Sequence, residues 1–261
     1  MASPSKQEDE VQEEDWSDFM TTDLSSGFAQ HGKQEISLLN GCTLRIASAS
    51  ALSPLDMVNL SWGTHDATGH CIWMGARLFL QALPKLKAYL LDQRVLELGS
   101  GTGLAGISVS KFYSIRYLTL TDSSDSALRL CRENVAMNFS EGANQNLQVK
   151  KLSWGESLPE KSVFDTVLAT DVLYDIQSWD PLLQTTINSL QVGGVLLLSH
   201  VPRAALPPSA SAKSLEEYLI ARARSHELHL QSTLCPRDLS ENFDVDMQQA
   251  GAAILIFEKK K

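Results

Sequence analysis

An α/β fold, with a seven-stranded, mostly parallel sheet and helices on both faces, is predicted by three observations in this sequence. From residue 95 onward, short apolar runs alternate with stretches of helical spacing, and parallel strands need such crossover helices between them. The first run, VLEL at 95–98, leads into glycines at alternate positions, Gly99, Gly101 and Gly103. That spacing lets a chain turn sharply out of a strand and present bare backbone. Later, two apolar runs are separated by a loop and not by a helix, which predicts an antiparallel hairpin closing one edge of the sheet.

The elements follow in order. Residues 1–18 hold seven acids and one lysine, a like-charged block that cannot offset the entropy of ordering, so a disordered acidic tail is expected there, with Trp16 and Phe19 at its boundary. Residues 19–66 read as an N-terminal β-hairpin extension, because alternating apolar segments between Ile36 and Ile46 flank Asn40-Gly41, a strong hairpin signal. A connector from Asp66 then gives way to a helix in which Ala76, Leu78, Phe79, Leu80 and Leu83 are spaced for burial and Pro84 stands near the end. The main domain, 67–261, continues with the strand and glycine loop, a helix over 104–111, a strand over 118–121, a helix over 126–138 and strands over 147–152 and 165–170. A helix over 179–190, a strand over 194–200, a helix over 215–226 and the closing strands 227–233 and 252–258 complete it. The segment 202–212, rich in Pro, Ser and Ala, reads as a flexible insertion.

Composition narrows the function. The chain has 261 residues, 43% of them hydrophobic and 20% charged, enough for one substantial enzyme domain. Its formal net charge of −9 argues against broad binding to a phosphate backbone, so a neutral or basic protein partner is expected and nucleic acid is not. Cys42, Cys71, Cys131 and Cys235 lie far apart with no C-x-x-C spacing, which suggests neither a metal site nor a disulfide framework. No apolar run reaches the roughly twenty residues needed to cross a bilayer, and the N-terminus is acidic where a signal peptide is basic and then apolar. The expectation is a monomer in the cytoplasm and also the nucleus, with no membrane partner.

The glycine loop admits two cofactors. Gly101-Thr-Gly103-Leu-Ala-Gly106 satisfies the G-x-G-x-x-G pattern of dinucleotide enzymes. Glu97, however, would repel a pyrophosphate and attract an ammonium group, which favours S-adenosylmethionine, whose methionine part carries an α-amino group. Read without its neighbours, Glu97 is a strand-end surface acid. Asp122, closing the next strand, is placed to hydrogen-bond ribose hydroxyls in either cofactor.

With that loop, Asp122 and the late hairpin in view, the chain resembles the seven-β-strand, Rossmann-like S-adenosylmethionine-dependent methyltransferases. Ala169-Thr-Asp171-Val-Leu-Tyr174 resembles the D-x-x-Y motif of the family 16 protein methyltransferases, many of which act on protein lysine. Residues 68–76, centred on Trp73, resemble that family's tryptophan segment, which helps cover the cofactor. The resemblance spans about residues 35–261 and implies S-adenosylmethionine as cofactor and a protein substrate methylated on a side-chain nitrogen, lysine first. It implies that Trp73, Glu97, Gly99, Gly101, Gly103, Asp122, Trp154 and Thr170 bind the cofactor, and that Asp171 and Tyr174 face the substrate.

Physical chemistry suits those roles. Methyl transfer is an in-line displacement at a sulfonium, so a neutral nucleophile must be aligned with the methyl group and water excluded. A carboxylate can hold an incoming ammonium, and an aromatic nearby can contact the cation through its ring face. From spacing alone, Asp171 reads equally as a loop cap and Tyr174 as a core aromatic, and Trp154, suited to stacking on a purine, reads equally as loop packing. His65, His70 and His200 read as structural and not as general bases, while Arg203 reads as a contact for an acidic target or as a solvated side chain. The N-P-P-Y motif of enzymes that methylate adenine or glutamine amides is absent. Protein histidine or arginine, or a small molecule, remain alternative acceptors. A nicotinamide-dependent oxidoreductase would need a Tyr-x-x-x-Lys pair, and the nearest match is Tyr218 with Arg222. A cofactor-binding scaffold without catalysis is the third reading.

Overall fold

A computed structural model describes residues 31–52, 67–140, 145–156, 158, 163–241 and 243–260. The acidic tail expected at 1–18, Trp16, Phe19 and His65 lie outside the described residues.

Strands β1 (His31–Ser37) and β2 (Thr43–Ala49) form an antiparallel hairpin, with Ser37 opposite Thr43 and Ile36 opposite Leu44. Gly41 turns the chain with φ 83°, and the Asn40 side chain accepts from the Cys42 amide, as an Asn-Gly turn allows. After a 3₁₀ turn at Thr68–His70 come α1 (Met74–Ala82) and the short α2 (Lys87–Leu90). The core then alternates: β3 (Arg94–Leu98), α3 (Leu104–Phe112), β4 (Tyr117–Asp122), α4 (Asp125–Asn138), β5 (Leu147–Lys151), β6 (Phe164–Thr170), α5 (Trp179–Ser189), β7 (Leu190–His200) and α6 (Leu215–Ser225). Strand β8 (Leu228–Leu234), short helices α7 (Pro236–Leu239) and α8 (Val245–Gln249) and strand β9 (Ala253–Lys259) complete it.

The seven-stranded sheet has the order β5-β4-β3-β6-β7-β9-β8. Pairings from β5 to β7 are parallel, whereas β9 is antiparallel to both of its neighbours. The late hairpin is therefore present, but two short helices occupy the connection expected to be a loop. The strand that meets β7 is β9 and not β8.

Strand periodicity divides the core. Val95, Leu118, Leu120, Leu168 and Leu197 pack with α1 and α3, and Leu96, Leu98, Val167, Leu196 and Leu198 pack with α5 on the other face. Leu44 and Ile46 of the hairpin join the first of these clusters. The hairpin is tied down by α4: Asn134 accepts from the Ala47 amide at 2.7 Å and donates to the carbonyls of Ala47 and Thr102, at 3.0 and 2.8 Å. One helical turn on, Asn138 accepts from the Arg45 amide at 2.9 Å and donates to the Arg45 carbonyl at 2.7 Å. Two side chains four residues apart on a helix thus satisfy alternate residues of a strand edge that would otherwise lack partners.

Candidate functional site

Going outward from β3, sheet order runs through β4 to β5 in one direction and through β6 to β7 in the other. The chain loops beyond strands β3 and β6 therefore diverge, and a crevice opens between them at the carboxyl ends of the strands. The structure has a cleft of about 600 Å³ there, within the range that takes a cofactor-sized ligand.

One wall is the glycine loop. Gly99 and Gly101 have φ of 68° and 50°, a region closed to most residues, and neither has room for a side chain. A Cβ on Gly99 would stand 2.8 Å from Val172 and 3.1 Å from the Trp154 ring, and one on Gly101 would stand 2.8 Å from the Gly69 carbonyl oxygen. Asp122, at the end of β4, ties this wall to the next helix: its carboxylate accepts from the Gly101 amide and from the Ser124 amide, each at 2.9 Å. Ser124, the N-cap of α4, also lines the cleft and accepts from Ala127. Trp154, on the loop after β5, lines the same end.

The opposite wall starts at Thr170, the last residue of β6. Asp171 follows with φ 57°, a left-handed conformation uncommon for a residue with a side chain, and its amide donates to the Ser199 carbonyl at 2.8 Å. This backbone turn directs the carboxylate at the N-terminus of α1, where the Gly75 amide donates to Oδ2. Oδ1 accepts from the Val201 amide at 3.4 Å and from Arg203 Nη2 at 2.5 Å. Burial pushes the Asp171 carboxyl above its usual range, against the Arg203 charge and the backbone donors, which pull it down. The Arg203 guanidinium pairs with Asp171 and lies over the Trp73 ring, 4.9 Å from the centroid, with its side chain partly exposed. Trp73 is itself fixed by its indole N–H, which donates to the Thr68 carbonyl at 2.9 Å. Tyr174 stands at the mouth, 44% exposed.

Trp73, Gly99, Gly101, Asp122, Trp154, Thr170, Asp171 and Tyr174 all line this one cleft. Two expected cofactor residues do not. Gly103 caps α3 and faces Cys131 and Ile107. Glu97 lies under α3, 1% exposed, where Oε2 accepts from the Gly106 amide at 2.9 Å and Oε1 has no partner among the described residues. Burial pushes its carboxyl up to about 8, with the Gly106 N–H pulling down and the Asp122 charge adding to the rise. Glu97 is thus not part of the cleft lining in this structure, where its carboxyl secures α3 from behind the cleft wall. His200 is buried beside the site, and burial, helped by the Arg203 charge, pushes its imidazole down to about 4, which suits a neutral structural role. Among the described residues, no cluster of three or more His, Cys, Asp or Glu is placed to hold a metal ion.

Comparison with known proteins adds independent findings. A family model described as lysine methyltransferase matches residues 55–213. The chain is 34% identical over 128 residues to protein N-lysine methyltransferase METTL21A of Xenopus tropicalis, an alignment covering 49% of this chain and 58% of that protein. It is 30% identical over 163 residues to EEF1A lysine methyltransferase 3 of the same species, covering 61% of this chain and 70% of that one. The chain thus spans little more than half the length of METTL21A. Among solved structures, an S-adenosylmethionine-dependent methyltransferase of Mesorhizobium loti aligns over 68% of this chain and 97% of its own, with TM-score 0.50 and 13% identity. Geranyl diphosphate C-methyltransferase of Streptomyces coelicolor, solved with S-adenosylhomocysteine, aligns over 70% of this chain and 81% of its own, with TM-score 0.51 and 13% identity. At such identities these two neighbours speak for the fold alone.

Proposed function

Because the chain belongs to the lysine methyltransferase family, we propose that it transfers a methyl group from S-adenosylmethionine to a lysine side-chain nitrogen of a protein substrate, acting as a monomer. The observation that carries this reading is the single cleft that holds the glycine loop, Asp122 and Trp154 at one end and Asp171, Trp73 and Tyr174 at the other. When bound, S-adenosylmethionine supplies an electrophilic methyl group on a sulfonium. The residues present fit it. Asp122 lines the cleft at the end of β4, where its carboxylate is placed to accept from ribose hydroxyls. Trp154 offers an indole face to adenine, Gly99 and Gly101 bring backbone against the methionine part, and Thr170 and Trp73 close the pocket.

Tyr174 meets the arriving acceptor at the mouth, and Asp171 lies deeper with its carboxyl group held in place by the Gly75 amide and Arg203. The acceptor nitrogen attacks only when uncharged, so its proton leaves to solvent before transfer. Positioning then carries most of the rate. Cys42, Cys71, Cys131 and Cys235 are all free thiols, which supports a reducing compartment, cytoplasm or nucleus.

The test is incubation of purified protein with methyl-labelled S-adenosylmethionine and a cell extract, beside an Asp171→Ala variant. A discrete, protease-sensitive labelled band, lost or reduced at least about a hundredfold in the variant, is expected. Label confined to nucleic acid or small molecules, or an equal band in both proteins, sinks the reading.

A further inference from the structure

Asp171 raises a difficulty for any incoming cation, because its carboxylate is already engaged. Its side chain is 1% exposed, whereas that of Arg203 is 35% exposed. The anion is built into the fold by the Gly75 and Val201 amides and by the Ser199 carbonyl that holds its backbone. The cation reaches it from the edge. On its other side the guanidinium rests on Trp73, whose ring is held by Thr68. A fixed carboxylate facing a fixed aromatic ring is the pair of groups that recognises an alkylammonium or its methylated forms. Both line the cleft, as does Arg203.

We propose that Arg203 is a resident cation occupying the acceptor's seat between Asp171 and Trp73, and that a substrate amine enters by displacing it. The inference rests on the methyltransferase reading for the identity of that amine. Three considerations favour exchange over a permanent pair. A buried carboxylate left without a cation is costly, so the seat is filled in the resting protein and its filling is handed over. Arg203 stands on the segment between β7 and α6, where the described backbone has a turn at 207–210 but no helix or strand, so its departure breaks no regular hydrogen-bonded element. Its long stem and edge position let the guanidinium move to water while Asp171 and Trp73 stay in place. An anionic side chain is repelled by the vacated carboxylate and a neutral one offers it a hydrogen bond without charge, so the exchange favours a cation.

The test uses the full chain saturated with S-adenosylhomocysteine and titrated with n-butylammonium chloride, a mimic of the lysine side chain. The Trp73 indole N–H resonance, assigned with a Trp73→Phe variant, reports occupancy. In Arg203→Gln, which keeps a donor for Asp171 but no charge, the midpoint is expected about tenfold or more below wild type, the scale of one charged hydrogen bond. Arg203→Lys restores a resident cation and is expected within about threefold of wild type, and sodium chloride at equal ionic strength moves neither midpoint. Equal midpoints in wild type and Arg203→Gln overturn the proposal, as does a response that survives when Asp171→Asn is added. If Arg203→Gln does not fold, the Arg203 Nε–H resonance of the wild-type protein must shift as butylammonium binds, and a resonance that stays fixed overturns the proposal. Exchange without any labelled protein band sinks the methyltransferase reading and leaves the cation seat; a labelled band without exchange sinks the seat alone.

Discussion

Glu97 lies on the face of β3 that α3 covers, with its carboxyl pushed up to about 8 from an ordinary 4.5. The unfolded chain releases this proton near the lower value and the folded chain near the higher one. Between them the folded state binds more protons, so stability falls as pH rises across the interval. Relative to Glu97→Gln, the urea midpoint of the wild-type protein is expected to drop steadily from about pH 5 to about pH 8 and then to level off. A flat difference between the two proteins would mean that Glu97 is ionised in the fold. The sequence shows an acid at a strand end but not the face it takes, because both faces of a central parallel strand are apolar: Val95 shares its side with Glu97, and Leu96 and Leu98 take the other. The available signal was Gly106, nine residues on, whose missing side chain leaves room for the carboxylate. Asp171 and Trp73 were legible as residues to watch, whereas their link through Arg203 depends on two loops that meet only in three dimensions.

Among elements, the strand and helix rhythm was readable because short apolar runs alternate with stretches of helical spacing, two of which follow a serine cap, Ser124 before α4 and Ser214 before α6. The order β7-β9-β8 was not readable, since either late strand could lie against β7 and still pair with the other in antiparallel fashion. Docking of the hairpin was equally hidden: the Asn-Gly turn announces two strands, but their anchor lies 87 and 93 residues away on α4. Asn134→Ala leaves the Ala47 amide and the carbonyls of Ala47 and Thr102 without their partner. A loss of about 3 kcal/mol is expected from denaturant unfolding. A loss below about 1 kcal/mol would show that water or a shifted strand satisfies those groups in its place.

For the molecule as a whole, the cleft lies where sheet order reverses, so ligand and fold are thermodynamically linked. A ligand present at a hundred times its dissociation constant adds about 2.7 kcal/mol to a folded state that alone binds it. For a chain of this size that raises Tm by about 5–10 °C. S-adenosylhomocysteine is expected to produce this rise, NAD is not, and Asp122→Ala is expected to remove most of it. A rise with NAD alone would return the glycine loop to dinucleotide binding. The net charge of −9 sets the surrounding field and leaves the cleft's own cation, Arg203, as a local exception.

The insertion of β9 between β7 and β8 also governs how the protein is made. Six residues of β7, Val195 to His200, pair with β9, and β8 reaches the sheet only through that same strand. A nascent chain synthesised through β8 therefore exposes the open edge of β7, although every described residue that lines the cleft has already been translated. Lys259 adds a late fastening, its ammonium donating to the Ile187 and Leu190 carbonyls where α5 runs into β7. A ribosome paused before residue 253 would hold those cleft residues on an unfinished sheet, exposed to chaperones and to edge-to-edge association until β9 emerges.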